Sequence, residues 1–251
     1  MTITSPTNRH LTEIRKLARA SARTRSGRFV VEGEDFMVAA AAARITPLYV
    51  LCAQGFEGAG EAGWLEVAPA LLAEVSTLGS STRVIGVFEQ RWSVPTGPLA
   101  VALLGVGDPG NVGTIVRAAH AFGASCVVLG PGSADPHGPK AVRASMGAIF
   151  AIAVARFSTL AELPGRIVAL VPGAGDPLDR ALDGAATLLL GGERDGLPAE
   201  LVARCHEVRH IAQVEGDSLN VAMAATVALY EVTRGPHAGP PDHARRLLGD
   251  H

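Results

Sequence analysis

Short apolar runs alternate with helical patterns from residue 99 to 233, and this alternation constrains the fold more than any other property of the chain. Residues 99–104, 126–129, 152–155, 167–171, 187–190 and 208–211 read as strands, and 112–122, 140–146, 198–204 and 219–233 read as helices. Strands that are apolar along their whole length suit burial on both faces, which is the situation in a parallel sheet covered by helices. The expected class is therefore α/β, with ligands near the carboxyl ends of the strands.

The first third reads differently. Residues 8–25 form a basic helical pattern, with Leu11, Ile14, Leu17 and Ala18 on one face. A strand at 29–33, an alanine-rich helix at 35–43, apolar runs at 48–52 and 84–88 and a helix at 69–78 follow. Two prolines and a glycine in residues 93–98 mark a linker. The expected organisation is an N-terminal α/β domain over 1–92, the linker, a main domain over 99–234, and a poorly ordered tail of Pro, Gly and His over 235–251.

Composition narrows the class. With 48% hydrophobic and 18% charged residues in 251, the chain can bury a core without metals or disulfides. No apolar stretch reaches the ~18 residues of a membrane span and the N-terminus has no signal-peptide character, so a cytoplasmic protein without membrane contact is expected. Cys52, Cys126 and Cys205 lie far apart and read as buried thiols; no zinc or other metal site is expected. The net charge is only −2, yet Arg9, Arg15, Lys16, Arg19, Arg23, Arg25 and Arg28 crowd a segment whose one acid is Glu13.

Three motifs carry chemistry. The first, D-P-G-N-V-G-T-I-V-R, begins at Asp108 and enters a helix, with Asn111 near its N-cap and Thr114, Arg117 and His120 in a polar stripe. Just before it, Gly105, Gly107 and Gly110 spell G-x-G-x-x-G, the mark of a dinucleotide turn; Pro109 in the turn and the lack of an acid in 127–132 speak against that use. The second motif, L-G-G-E-R-D-G-L-P from Leu190, ends a strand with glycines that let a ligand approach the backbone. Its Glu193 reads either as a turn carboxylate or as a group orienting Arg117 or Asn220. In the third, S-L-N-V-A, Ser218 is placed to cap the last helix and Asn220 falls in its first turn. Arg117 stays protonated, so it suits a phosphate and a developing oxyanion better than proton abstraction.

Taken together, the motifs resemble the SpoU/TrmH branch of the SPOUT methyltransferases. The resemblance implies methylation of a ribose 2′-hydroxyl in rRNA or tRNA with S-adenosylmethionine, a SPOUT-type parallel sheet with a trefoil knot, a ribosomal-protein-like N-terminal domain, and a homodimer. The family's reactive residues fall on Asn111, Arg117, Glu193, Ser218 and Asn220, and its cofactor contacts on Leu190, Gly191, Gly192, Glu193, Ile211, Gln213, Ser218 and Leu219. The usual Ile-Pro-Met of the cofactor loop reads Ile211-Ala212-Gln213 here. The stretch P-K-A-V-R-A-S-M-G-A matches a further family segment, in which Lys140 and Arg143 either touch RNA or are solvated. In this context the N-terminal basic residues become an RNA-docking candidate. Ala222, Ala224, Ala225 and Ala228 permit close packing, inside the core or near a dimer interface. The competing readings are an NAD(P)-dependent oxidoreductase built on Gly105, Gly107 and Gly110, and an RNA-binding protein of the same fold without turnover.

Overall fold

The computed structural model describes residues 2–58, 62–77, 82–179, 182–215 and 219–234. The expected tail at 235–251 and Ser218 lie outside them.

The N-terminal basic segment is two helices, not one. In α1 (Arg9–Leu17) Asn8 caps the start, and Leu11, Ile14 and Leu17 are buried on one face as their spacing requires. Ala18, expected on that face, is exposed, and Arg19 adopts an extended conformation before α2 (Ala20–Ser26). The break has a visible partner: the Arg23 guanidinium donates to the carbonyls of Leu17 and Ala18 at 2.9 and 3.0 Å, taking acceptors that a helix end leaves open. Gly27, at φ +65°, then closes α2 in the left-handed conformation suited to glycine.

Next come β1 (Arg28–Glu32), α3 (Glu34–Ala42), β2 (Tyr49–Ala53), β3 (Trp64–Val67), α4 (Pro69–Val75) and β4 (Val84–Glu89). The strands form a sheet in the order β1-β4-β2-β3, with β3 parallel to β2 and the other pairs antiparallel. Strand β3 had no sequence expectation. It is a half-buried edge strand in which Trp64, Leu65 and Glu66 alternate too weakly to signal a strand.

The main domain contains β5 (Leu99–Leu104), α5 (Pro109–Ala121), β6 (Cys126–Leu129), α6 (Pro139–Ser145), β7 (Ala153–Arg156), β8 (Arg166–Leu170), β9 (Asp176–Pro177), β10 (Ala186–Gly191), α7 (Ala199–Val202), β11 (Glu207–His210) and α8 (Val221–Thr233). Its seven strands follow the order β7-β6-β5-β10-β8-β11-β9, and every pair is parallel. Strand β10 thus lies between β5 and β8, paired from Ala186 opposite Leu99 to Gly191 opposite Leu104. That register sets the loop after β5 beside the loop after β10, so the first two motifs meet. Ala222, Ala225, Ala228 and Leu229 are buried and α8 packs on α5, which puts those three alanines in the core, while Ala224 is half-buried.

Residues 93–98 do not behave as a tether. Ser93 pairs with the edge strand β7 and its N–H donates to Val154 O at 2.8 Å, while Pro98 O accepts from Ala186. Beneath them Phe29, Val31, Phe36 and Phe88 of the N-terminal part share one hydrophobic core with Val112, Ile149 and Phe150 of the main domain. Burying each such side chain stabilises the fold by about 1.5–3 kcal/mol, so the two parts are joined by packing more than by the chain between them.

Candidate active site

The carboxyl ends of β5 and β10 and the start of α8 converge on three side chains. Asn220 is itself the N-cap of α8, its Oδ1 accepting from the N–H groups of Ala222 and Met223 at 2.9 and 3.4 Å. This corrects the expectation that Ser218 caps the helix and Asn220 lies inside it. Its Nδ2 donates to Asn111 Oδ1 at 3.3 Å, and Asn111 Nδ2 donates to Glu193 Oε1 at 2.5 Å. The carboxylate can only accept and the helix N–H groups can only donate, so both amides have one orientation. All the dipoles in this chain point positive ends toward the Glu193 carboxylate.

Asn111 is held from behind. It is the third residue of α5, whose N-cap is Asp108: Oδ1 of Asp108 accepts from Gly110 and Asn111 N–H at 2.6 and 3.1 Å. The other carboxylate oxygen accepts from Lys140 Nζ at 2.8 Å. The Lys140 hydrogen bond first, and those from the Asn111 and Gly110 backbone with it, hold the Asp108 carboxyl below its usual range. These contacts also oppose the dinucleotide reading. A pyrophosphate on the Gly105-Gly107-Gly110 turn would need the same helix N–H groups that a carboxylate already occupies.

Two hollows flank this cluster. One, of about 600 Å³, is lined by Leu190, Gly191, Gly192, Glu193, Ile211, Gln213, Leu219 and Asn220, which brings together every described residue expected at the cofactor. Leu170, Val171, Pro172 and His210 also line it, and sequence reasoning missed them; their signal was their place at the carboxyl ends of β8 and β11. The second hollow, of about 760 Å³, lies on the side of Gly105, Gly107, Asp108 and Asn111 and shares the wall Gly192–Gly196 and Asn220 with the first. That wall is a tight turn in which Gly196 N–H donates to Gly192 O at 3.0 Å. Glycine is required there, because a Cβ on Gly191 would stand 2.2 Å from Gly196 C and one on Gly192 2.2 Å from Gly105 O.

Arg117 stands apart. It is exposed on α5, six residues or about 9 Å along the axis from Asn111, lines neither hollow, and has no hydrogen bond or ion pair among the described residues. Glu193 therefore orients Asn111 and, through it, Asn220, but not Arg117.

The basic residues divide. Arg23 is 4% exposed and bonds Asp135 at 2.8 Å, so it is an internal strut and not an RNA contact. Burial alone would raise the Asp135 carboxyl, but the facing His137 ring and backbone N–H, with Arg23, outweigh it and hold the pKa at about 2. Arg15 pairs with Glu74 at 3.3 Å, Arg28 with Glu13 at 2.7 Å, and Arg143 donates to Thr77 at 3.0 Å. Lys16, Arg19 and Arg25 are exposed without ion pairs among the described residues, and Arg9 is exposed with only His10 as partner. Burial pushes the thiols of Cys52, Cys126 and Cys205 up in pKa.

The geometry has relatives. Residues 98–230 match the SpoU rRNA Methylase family. A protein named ribosomal RNA small subunit methyltransferase G 2 of Syntrophobacter fumaroxidans is 37% identical over 186 residues, covering 71% of this chain and 37% of that protein. The 23S rRNA (uridine(2479)-2'-O)-methyltransferase of Streptomyces viridochromogenes is 33% identical over 141 residues, 51% of this chain and 49% of that one. The chain thus spans less than half the length of these two curated relatives. Among solved structures, the AdoMet-bound rRNA methyltransferase from Sinorhizobium meliloti is 31% identical with a TM-score of 0.81, over 100% of this chain and 99% of that one. With the matched region, the parallel sheet and the meeting of its three motifs in agreement, the chain belongs to the SpoU rRNA Methylase family.

Proposed function

We propose that the chain transfers a methyl group from S-adenosylmethionine to the 2′-hydroxyl of a ribose in structured RNA, ribosomal or transfer. The observation that carries this reading is the hydrogen-bonded sequence α8 N–H, Asn220, Asn111, Glu193, placed on the boundary between two hollows. The first hollow fits the cofactor: Leu170, Leu190, Ile211 and Leu219 offer an apolar seat for a flat ring, and Gly191 and Gly192 leave the backbone open to approach. When bound, the cofactor supplies a methyl group on a sulfonium, and its transfer to oxygen neutralises charge. Alignment and electrostatics are then what the protein must provide. Glu193 faces both hollows with Oε2 free of partners among the described residues, so it can accept the hydrogen bond of the 2′-hydroxyl as the proton leaves. Asn111 and Asn220 fix that carboxylate. Arg117, outside both hollows, is assigned to a phosphate of the RNA. Relatives named for 23S rRNA methylation support ribosomal RNA as the first substrate to test.

The same reading includes RNA docking on Arg9, Lys16, Arg19 and Arg25, and a homodimer. The outward face of α8 supports the dimer, for Met223 and Tyr230 are 63% and 51% exposed on a helix otherwise nearly all apolar. The trefoil knot belongs to it too, supported by β10 lying between β5 and β8 with β11 beyond. A cytoplasmic location agrees with the absence, among the described residues, of any helix long and apolar enough to cross a membrane.

Calorimetry with S-adenosylmethionine, S-adenosylhomocysteine and NAD(H), together with a map of ribose methylation in total RNA with and without the gene, tests the reading. Saturable binding of the sulfur ligands and one ribose mark lost with the gene are expected. Saturable NAD(H) binding with an unchanged map would overturn it.

A further inference from the structure

We infer that Lys140 is a positioning residue for methyl transfer, acting through Asp108 on Asn111 and not through RNA. The inference rests on the methyl-transfer reading above and extends it to a residue outside both hollows. Lys140 Nζ holds one oxygen of Asp108 at 2.8 Å while the other oxygen caps α5 at Gly110 and Asn111. One carboxylate thereby ties the start of α6 to the start of α5. The Asn111 backbone is fixed by that cap, and its side chain is the middle member of the sequence joining Asn220 to Glu193.

Gly110 fits the same device. A Cβ there would stand 2.8 Å from Asp108 Oδ1 and 3.1 Å from Lys140 Cε, so the clamp closes only over glycine. Gly113 lets the two helices meet one turn later, since a Cβ on it would lie 2.1 Å from Ala141 O. The clamp therefore sits on a close helix contact that has little room to adjust. Without Lys140, Asp108 loses its counter-charge and its tie to α6, and the side chain that caps Asn111 is held from one side only. Misplacement of a reacting group by about 1 Å costs about 10²-fold in rate.

The test uses the full chain, bulk RNA from cells lacking the gene, and S-adenosylmethionine with a tritiated methyl group. Lys140→Met should lower kcat about 10- to 10²-fold with the RNA KM and the salt slope of RNA binding unchanged. Lys140→Arg should restore most of it. Adding Asp108→Asn to Lys140→Met should cost little more, because both changes open the same clamp. Side-chain amide NMR reads the effect without turnover: the Asn111 amide pair should move in Lys140→Met and return in Lys140→Arg. A raised KM and a salt slope flatter by about 0.7–0.9, with kcat and the amide signals unmoved, would make Lys140 a phosphate contact and overturn the inference. If the wild type methylates no RNA yet the amide pair still responds to Lys140→Met, the transfer reading fails and the clamp stands.

Discussion

Asn220, the N-cap of α8, donates a hydrogen bond at 3.3 Å to Asn111, in the first turn of α5, across 109 positions of sequence. The two helix starts are thus joined by side chains, and Glu193 closes the arrangement from the end of β10.

Because Asn220 has two duties, substitutions should separate them. Asn220→Ser keeps a capping oxygen and loses the donor to Asn111, so the melting temperature should stay close to wild type while methyl transfer falls. Asn220→Ala loses both and should also cost about 1 kcal/mol of stability. Equal melting temperatures for the two variants would show that the cap contributes nothing.

Arg117 has no partner to lose among the described residues. Arg117→Ala should leave thermal stability and S-adenosylmethionine affinity unchanged and lower methyl transfer about 10²–10³-fold, as for removal of one preorganised charge. Turnover equal to wild type would remove Arg117 from the reaction.

The exposed cations are separable from the buried one. Changing Lys16, Arg19 and Arg25 to Glu should weaken RNA binding and flatten its salt dependence by about 0.7–0.9 per lost phosphate contact, with the melting temperature nearly constant. Arg23→Ala should do the reverse. It strands Asp135 without its charge partner, and stability should fall by about 3 kcal/mol or more, read by denaturant unfolding.

Asp135 also sets an acid dependence. Its folded pKa of about 2 lies below the ordinary value of 3.8, so its contribution is complete above about pH 4 and is lost as pH falls toward 2. The size is about 2 kcal/mol, shared with the fold's other carboxylates in any acid titration. In Asp135→Asn the stability curve should be lower at neutral pH and flatter between pH 4 and 2. Parallel curves for variant and wild type would place the acid sensitivity elsewhere.

What the sequence disclosed depended on the range of the interaction concerned. Strands β5 and β6 match their expected bounds because Val101, Leu103 and Val127 are buried on one face and Ala100, Ala102 and Val128 on the other, and a continuous apolar run records that locally. The cofactor hollow was legible for the residues that the motifs carry, and illegible for Val171 and Pro172, which reach it only because β8 runs beside β10. The break between α1 and α2 was hidden. It depends on Arg23, whose other partner, Asp135, lies 112 positions away, and no local pattern distinguishes that arginine from the exposed Arg19 and Arg25. Lys140 was equally silent, being one more cation at a helix start until Asp108 is placed opposite it.

The core running beneath residues 93–98 leaves no hinge between the gripping helices and the reacting amides. Under the proposed docking, an RNA gripped by α2 would meet Asn111 at one fixed span, as along a ruler. Distance from the gripped element, more than the identity of the base, would then select the nucleotide.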